Sequence, residues 1–475
     1  MEKLYVTSGC ELTVQDVVEY VHEREQSSEL ARLKKLEKYF SVKNASIMNR
    51  ANPLSTTENA KIPSGYCRYI TNTINGYLLG GEKPIEYIYP EGYDSTELDK
   101  LFRYNDERFV NTKIGEHMSI YGYAIEQQYI DRLGKYRFSC VDPKNVILLF
   151  EDNIDQDIHS AIKYRYTTLS DDYDSVLLTV DYFTIDRIYT WTFLNNDMVP
   201  QTEQEMTNIF GDIPFIYYEN ANEVGDFEPV LDLVDAYDST YSNISNLFNY
   251  FNDAYLVITG DGFQPNYDDN GNEVDPVDDM KRNRCFVLPQ GSTIDFLAKP
   301  NTTSESIAYL TQIKDDIHKF SHVPDMTDES FYSSSGVAIR YKLQSLDYLC
   351  SIKEANLRKG LTRRFELLSN YLSLKNNELD FYDIEIVFNR NTIEDLGEKY
   401  DNILKLNGIV SQETLLSKLP GVDANNEVLK LEEEKQRNID LFMGDNFMNQ
   451  ESEEKDNHQI NDGELDEWTT RHTHR

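Results

Sequence analysis

The segment EPVLDLVDAYDSTYSNISNLFNYFND, residues 228–253, carries the pattern that decides the fold. Apolar side chains recur along it at alternating intervals of four and three residues, at Val230, Val234, Tyr237, Tyr241, Ile244, Phe248 and Phe251. This spacing predicts one helix of about 25 residues, about 38 Å long. The opposite face is polar, with Asp232, Asp235, Ser239, Ser242, Ser245 and Asn249. We expect a neighbouring helix to bury the apolar stripe, as in an ordinary core helix.

Two further helices are predicted beyond this segment. The first spans residues 304–320, and Pro324 and the SSSG run of residues 333–336 interrupt the pattern after it. The second spans residues 337–374, roughly 57 Å at the helical rise of 1.5 Å per residue. Its apolar positions include Leu343, Leu346, Leu349, Ile352, Leu357, Leu361, Phe365, Leu368 and Tyr371. A basic face is predicted on the same helix from Arg340, Lys342, Lys353, Arg358, Lys359, Arg363 and Arg364.

Residues 260–300 are rich in turn-forming residues. The stretch QPNYDDNGNEVDPVDD lies between candidate strands at 254–258 and 285–288, and Asn270-Gly271 suits a type I′ hairpin turn. The run Asp268, Asp269, Asn270, Gly271 and Asn272 resembles part of a calcium loop, but the glycine and glutamate spacing of that loop is missing. We therefore interpret this run as a turn.

The remaining chain mixes helices and strands, which predicts an α+β fold class. Helical patterns cover residues 13–40, 66–79 and 94–121. Short β-branched and aromatic runs, typical of antiparallel strands, cover residues 135–150, 159–168, 176–183, 187–193, 213–218 and 381–388. Ser411 is a predicted N-cap for a helix that starts at Gln412. The acidic tail, residues 443–475, has a composition typical of disorder.

Composition and motifs argue against several functions. The formal net charge of −37 disfavours nonspecific binding to nucleic acid. Five scattered cysteines fit a reducing compartment, and neither a signal peptide nor a membrane span is expected. P-loop, HExxH and GxSxG motifs are missing from the sequence. The pairs His318/His322 and His472/His474 are weak metal candidates, so we predict no metal, no cofactor and no catalytic residue.

Four segments, in the same order and spacing, resemble the portal family of tailed phages that infect Gram-positive bacteria. They are IPSGYCRYITNTINGYLLGGEKPIEY (residues 62–87), residues 213–243 running on into FNDAYLVITG, HVPDMTDESFYSSSGVAIRYKLQSLDYL (residues 322–349), and residues 388–427. The resemblance covers roughly residues 13–435, so it leaves out the first twelve residues and the acidic tail.

The resemblance implies a portal fold assembled as a ring, with these parts along the chain. They are an N-terminal α+β wing (1–227), a first stem helix (228–259), a clip (260–303), a second stem helix (304–321), a tunnel loop (322–336), a long helix with a returning wing strand (337–391), a helical crown (392–442) and the acidic tail (443–475).

The resemblance also implies a function. Family members form a dodecameric ring at one capsid vertex, which nucleates capsid assembly, passes double-stranded DNA during packaging and ejection, and retains the packed DNA. The implied partners are the terminase large subunit, the major capsid and scaffolding proteins, and the head-completion or adaptor proteins. No membrane partner is implied. The protein would be made in the host bacterial cytoplasm and end in the virion.

Candidate site residues follow from the same resemblance. The tunnel loop would place Val323, Pro324, Asp325, Met326, Phe331, Tyr332, Ser333, Ser334 and Ser335 at the DNA channel. Lys314, Lys319 and Arg340 flank that loop and are candidate phosphate contacts. Asp268, Asp269, Asn270, Gly271 and Asn272 would lie in the clip, where the motor docks. Val234, Tyr237, Tyr241, Ile244, Phe248 and Phe251 would pack the stem.

Two alternatives stay open at this point. One is a different ring or adaptor protein of the virion that has no DNA channel, which the tunnel-loop segment disfavours. The other is an enzyme, such as a nuclease or a protease of a phage operon. An enzyme would need a metal cluster or a nucleophile arrangement, and the sequence shows no pattern for either.

Overall fold

The computed structural model describes residues 3–7, 9–51, 59–168, 176–194, 197–252, 255–259, 266–267, 271, 273–274, 291, 293–297, 303–332, 336–373, 380–391, 403–419 and 426–437. The chain divides into two units, residues 1–392 and residues 393–475. The first unit combines helices and strands, so the predicted α+β class is confirmed.

The helices of the first unit lie mostly where the periodicity places them. They are α1 (Val14–Gln26), α2 (Ser28–Phe40), α3 (Ala45–Met48), α4 (Tyr66–Leu79), α5 (Thr96–Asn105), α6 (Glu107–Tyr121), α7 (Leu231–Asn252), α8 (Thr303–Phe320), α9 (Glu329–Tyr332) and α10 (Gly336–Ser373). The three long helices predicted near residues 228–253, 304–320 and 337–374 are confirmed to within a few residues as α7, α8 and α10.

The strands of the first unit are short and mostly antiparallel. They are β1 (Leu4–Val6), β2 (Ile85–Ile88), β3 (Tyr123–Ile130), β4 (Tyr136–Val141), β5 (Val146–Glu151), β6 (Ile158–Thr168), β7 (Val176–Phe183), β8 (Arg187–Leu194), β9 (Thr202–Thr207), β10 (Phe215–Glu219), β11 (Tyr255–Thr259), β12 (Asn266–Tyr267), β13 (Glu273–Val274), β14 (Thr293–Leu297) and β15 (Glu385–Phe388).

Two helices predicted as continuous are each broken, so those predictions are wrong. The 13–40 helix breaks at Ser27, whose extended backbone ends α1 and whose hydroxyl accepts the Leu30 N–H at 3.1 Å. A serine at the N-cap favours the start of a new helix because its side chain accepts one of the otherwise unpaired N–H groups of the first turn. The 94–121 helix breaks at Asp106, which has left-handed backbone angles (φ 51°, ψ 53°) between α5 and α6. Aspartate tolerates that conformation better than most residues.

A six-stranded sheet dominates the middle of the sequence, with strand order β1-β5-β6-β7-β8-β9. β1 pairs with β5 in parallel, and the other neighbours are antiparallel, as the sequence predicts for this region. One helix, α1, packs Val17, Val18 and Val21 against this sheet to make a separate small core. The edge strand β9, TEQEMT, was not predicted because it is polar and every residue in it is exposed.

A second sheet, with order β10-β3-β4, forms the main core together with α4, α6 and α10. Its central strand β3 was not predicted because Glu126, Gln127 and Gln128 interrupt the alternation of apolar and polar residues that is typical of a strand. All three side chains are nevertheless buried. The long helix α10 crosses β10 so closely that Gly360 has no room for a side chain against the Tyr218 ring. The main core therefore depends on how α10 lies across this sheet.

The helices α7 and α8, predicted to form the stem, are joined by a segment that contains short β-strands. α7 packs against α8, and the chain between them forms the antiparallel pair β11–β14 and the small hairpin β12–β13. Tyr267 pairs with Glu273, so the strands β12 and β13 are joined by residues 268–272. Of the predicted Asn270-Gly271 turn, only Gly271 lies within the described residues, so the turn type stays a prediction. The second candidate strand, residues 285–288, lies outside the described residues; β11 pairs instead with β14.

The second unit is described only at residues 403–419 and 426–437. Its helix α11 (Gln412–Ser417) starts at the predicted N-cap, because the Ser411 hydroxyl accepts the Thr414 N–H at 3.3 Å. Residues 426–437 are also helical. The predicted disordered tail, residues 443–475, lies outside the described residues.

Candidate channel loop and assembly surfaces

Two side chains fix the start of the predicted tunnel loop, residues 322–336, which follows α8 and includes the short helix α9. The Tyr69 hydroxyl, on α4, donates to the Pro324 carbonyl at 2.9 Å and accepts the Met326 N–H at 2.9 Å. At the end of α8, the His318 Nδ1 donates to the Val323 carbonyl at 2.9 Å. The His318 ring also packs edge-on against Tyr69. The first residues of the loop are therefore anchored to α4 and α8.

An ion pair strengthens this anchor. The Lys314 Nζ lies 3.2 Å from the Asp325 carboxylate, which also accepts the Thr327 N–H at 2.9 Å and the Thr327 hydroxyl at 2.6 Å. Burial alone would raise the pKa of Asp325, but the Thr327 and Lys314 hydrogen bonds outweigh burial and lower it. The hydrogen bond to Asp325 raises the pKa of Lys314. The ammonium predicted to contact phosphate is thus engaged within its own chain.

One predicted channel residue needs correction. Val323 is fully buried in the main core, so its side chain cannot face a channel in this conformation; it serves as an apolar anchor. Pro324, Asp325 and Met326 are partly buried, and Phe331 packs against the main core with the Lys342 Nζ 4.9 Å from its ring centroid. The Tyr332 side chain and Ser333, Ser334 and Ser335 lie outside the described residues. For these residues the channel position stays a prediction.

The other two candidate phosphate contacts are exposed. The Lys319 Nζ lies 5.7 Å from the ring centroid of its neighbour Phe320, and Arg340 lies near the start of α10. Exposure leaves both side chains accessible to a ligand or to another subunit. Their role as phosphate contacts stays a prediction.

The apolar stripe of α7 is only half covered within the chain. Val234 and Ile244 are buried and Tyr237 is partly buried, which fits the predicted packing. Tyr241 and Phe248, by contrast, are 45% and 56% exposed. The Phe251 side chain lies outside the described residues. The stripe therefore keeps an uncovered part toward the C-terminal half of α7.

Part of the polar face of α7 packs against residues 39–51 and 59–64. The Asp238 carboxylate is buried, accepts the Ser64 N–H at 2.8 Å and accepts a hydrogen bond from Asn44. The Ser242 hydroxyl accepts the Ile62 N–H at 3.1 Å. Burial raises the pKa of Asp238, although these hydrogen bonds oppose the shift. The polar residues of α7 thus hold the segment that precedes α4.

A cavity of about 450 Å³ opens beside the anchored loop. Four tyrosines contribute to its wall: Tyr66, Tyr69, Tyr237 and Tyr241. The other lining residues are Ile62, Pro63, Ser64, Gly65, Lys314, His318, Asp325 and Thr327. Tyr66 and Tyr237 meet edge to face, with ring centroids 5.1 Å apart. The cavity therefore joins the α7 stripe to the root of the loop.

Two buried charge networks, which the sequence did not predict, hold α10 in place. The Lys353 Nζ lies 2.5 Å from the Asp226 carboxylate and 2.6 Å from the Ser119 hydroxyl. One turn before α7, Asp226 also accepts from Asn220 at 2.7 Å. Because Asp226 lies on the segment that leads into α7, this pair fixes α10 to the start of α7.

The second network is centred on Arg364. Its Nε and Nη2 lie 2.9 Å and 2.6 Å from the two oxygens of Glu126, and Nη2 also donates to Asn111 at 2.8 Å. The Tyr218 hydroxyl donates to Glu126 at 2.8 Å. Burial alone would lower the pKa of Arg364, but the Glu126 carboxylate outweighs it and the pKa is raised. Arg364 and Lys353 are therefore buried, and they are not part of an exposed basic face of α10 as the sequence predicted. The feature of the sequence that points to the Arg364 network is the run of acidic and amide residues in β3, Glu126 to Gln128.

Replacing Tyr69 by phenylalanine should loosen the start of the loop without unfolding the chain. The Pro324 carbonyl and the Met326 N–H would lose their partner, at a cost of roughly 1–3 kcal/mol. Amide hydrogen exchange should then speed up about tenfold or more at Met326 and Thr327, while the β6–β8 amides keep their rates. Tyr66→Phe, in the same cavity wall, is the matched control. Equal exchange at Met326 in both variants would show that Tyr69 does not anchor the loop.

The predicted clip residues are described only in part. Gly271 has a positive φ of 80°, which suits a turn, and Asp268, Asp269, Asn270 and Asn272 lie outside the described residues. In the described part of the chain, no cluster of histidine, cysteine and carboxylate side chains could hold a metal ion. His322 follows α8 with a left-handed φ of 60°. Within the same residues, no helix combines the length and the apolar character needed to span a bilayer.

Comparison with known proteins identifies the family of this chain. The family described as "Phage portal protein, SPP1 Gp6-like" matches residues 21–441. The portal protein of Bacillus phage SPP1 is 22% identical over 379 residues, covering 75% of this chain and 73% of the phage protein. A chain from the solved structure "Neck of empty GTA particle computed with C6 symmetry" aligns with a TM-score of 0.45 at 12% identity, covering 74% of this chain and 88% of that chain.

The family match first defines the class of protein: the chain is a structural component of phage heads and not an enzyme. The chain belongs to the SPP1 Gp6-like family of phage portal proteins, as the resemblance of the four segments predicts. Its general role is therefore that of a portal protein in the virion capsid.

Proposed function

We propose that the chain is the subunit of a closed dodecameric ring at one capsid vertex, and that the ring is the channel for packaging and ejecting double-stranded DNA. The parts of the subunit would be those that the resemblance implies: wing, stem, clip, tunnel loop, long helix and crown. The protein would be made in the host bacterial cytoplasm and carried in the virion.

One observation carries this proposal most directly. The chain runs from α7 through the β11–β14 excursion to α8, through an anchored loop and into α10, which is 38 residues long. An apolar stripe on α7 remains partly exposed within the chain. Long helices with uncovered stripes are expected of subunits that complete their packing in an oligomer. This order of elements supports the order of stem, clip, stem, tunnel loop and long helix that the resemblance implies.

The acidity of the chain suits a channel through which DNA must slide. Each lysine or arginine on a phosphate would add binding affinity through released counterions, so a wall with few free cations offers little resistance. Lys314 is paired with Asp325, which reduces the free positive charge at the base of the loop. Lys319 and Arg340 remain the proposed phosphate contacts, since both are exposed.

The ends of the stem would carry the partner contacts. The clip, residues 260–303 with the Asp268–Asn272 turn, would dock the terminase large subunit and later the head-completion or adaptor proteins. The wing and crown would face the major capsid and scaffolding proteins. The tunnel loop, anchored up to Met326, would retain packed DNA with its later residues, Phe331 to Ser335.

Native mass spectrometry of the purified full-length chain tests the ring. We expect one dominant species near twelve times the 55.3 kDa chain mass. An adaptor protein without a channel could also form a ring, so negative-stain images of the same sample should show a central opening. A monomer or dimer at every concentration tested, with no ring in the images, would contradict the proposal.

A further inference from the structure

We propose that neighbouring subunits join by seating α10 of one copy on α7 of the next, so that the exposed aromatic stripe of α10 covers the exposed stripe and tyrosine-lined cavity of α7. The inference rests on the proposed ring, and it names the two surfaces that close that ring. The partner that covers each of these surfaces is a second copy of this chain.

The first surface is a stripe on the N-terminal half of α10. Val337, Tyr341, Tyr348 and Ile352 are separated by four, seven and four residues, so all four lie on one face of the helix. They are 58%, 72%, 63% and 54% exposed. The buried positions of the same half, Leu343, Leu346 and Cys350, face the main core. Nothing in the described part of the chain covers the stripe.

The second surface is the uncovered part of the α7 stripe. Tyr241 and Phe248 lie seven residues apart on one helix face, and both are exposed. Tyr237 stacks on Tyr241 with ring centroids 6.0 Å apart, and both side chains line the cavity of about 450 Å³ at the loop root. This surface combines an apolar ridge with a cavity whose aromatic walls suit an inserted aromatic or aliphatic side chain.

Charge favours contact between the two helices. α7 contains three aspartates and no lysine or arginine, and Asp232 among them is exposed. Among the basic residues of α10, Lys353 and Arg364 are buried in the charge networks, but Arg340 is exposed, in a chain of net charge −37. Lys359 is exposed and lies on the same face as the α10 stripe. Opposite charge on two surfaces of one chain favours pairing of unlike surfaces over like ones.

Two different surfaces on one chain produce a head-to-tail contact. Such a contact repeats from copy to copy and closes into a ring when the rotation between copies allows it, whereas a two-fold contact of like surfaces would stop at a dimer. Each copy would then offer α7 to one neighbour and α10 to the other. Because the α7 stripe adjoins the anchored loop, this contact would also hold each loop against the next subunit.

Crosslinking of a cysteine pair tests the contact directly. Tyr241→Cys and Tyr348→Cys are combined in the full chain, with Cys10 and Cys285 replaced by serine, and a short bismaleimide is added to the assembled protein. Denaturing gels should show a ladder from dimer to the full ring, because each copy bonds two different neighbours. Either single-cysteine variant should remain monomeric on the same gel. Dimers from a single-cysteine variant would show that like surfaces meet, which would overturn the inference.

A charge variant gives a second readout that does not depend on thiol reactivity. Tyr348→Asp should weaken each contact about tenfold or more, so the chain stays folded by circular dichroism but no longer forms rings. Tyr382→Asp, at a tyrosine that is 80% exposed, is the matched control and should assemble normally. Rings from the Tyr348→Asp variant, or rings of the cysteine-pair variant without a ladder, would overturn the contact and leave the proposed ring standing. No rings from the unsubstituted chain would instead overturn the proposed function.

Discussion

Replacing Arg364 by methionine should lower the free energy of unfolding by about 3–5 kcal/mol, a large part of the stability of a typical domain. Arg364 is almost fully buried and bonds both oxygens of Glu126, so methionine would leave the carboxylate buried without a cation. The Tyr218 and Gln128 hydrogen bonds to Glu126 would remain, but they do not neutralise its charge. Urea unfolding followed by circular dichroism measures the loss.

The control for this prediction is an exposed cation on α2. Lys38→Met removes that cation and should change the free energy of unfolding by no more than about 0.5 kcal/mol. Adding Glu126→Gln to Arg364→Met should recover part of the loss, because no unpaired charge would remain in the core. A loss as small for Arg364→Met as for Lys38→Met would contradict the buried network as the anchor of α10.

The same substitution at two helical glycines should have opposite effects. Alanine normally stabilises a helix interior by about 1 kcal/mol relative to glycine. At Gly76, in α4, an added methyl group meets no atom within 4 Å, so Gly76→Ala should raise the free energy of unfolding by about that amount. At Gly360, in α10, the methyl carbon would lie 2.2 Å from the Tyr218 ring, far inside contact distance.

Gly360→Ala should therefore destabilise the protein by about 1–3 kcal/mol despite the better helix propensity. The Tyr218 ring cannot swing aside cheaply, because it is buried and its hydroxyl is held by Glu126. Thermal unfolding of the two variants and of the unsubstituted chain, measured side by side, tests whether alanine stabilises one site and destabilises the other. A gain in stability at both glycines would mean that α10 does not cross β10 as closely as described.

The long helices could be predicted from the sequence because each has an uninterrupted period near 3.5 and lies between clear breakers. The bounds predicted for α7, α8 and α10 agree with the structure to within a few residues. The strands β6, β7 and β8 could be predicted for the matching reason, since their β-branched and aromatic residues are bounded by turn residues. Local patterns suffice where local preference and tertiary packing agree.

Other features depend on contacts that local patterns do not contain. β3 looks polar in the sequence partly because it contains Glu126. The partner of Glu126 in the core is Arg364, which lies 238 positions further along the chain. The sequence shows that one face of α7 is polar but not what that face binds: Asp238 and Ser242 accept the backbone N–H groups of Ser64 and Ile62, in the segment before α4. Val323 reads as a loop residue, yet it is part of the main core. In each case the partner lies far away in sequence.

Cryo-electron microscopy of the purified full-length protein tests the central claim most directly, with the symmetry and the axial channel as the readouts. The account predicts a closed ring whose axial tunnel admits duplex DNA and is narrowest beside the residues that follow the Met326 anchor, with α7 of each copy against α10 of the next. A compact particle without an axial tunnel, or a ring in which α7 and α10 both face bulk solvent, would contradict it.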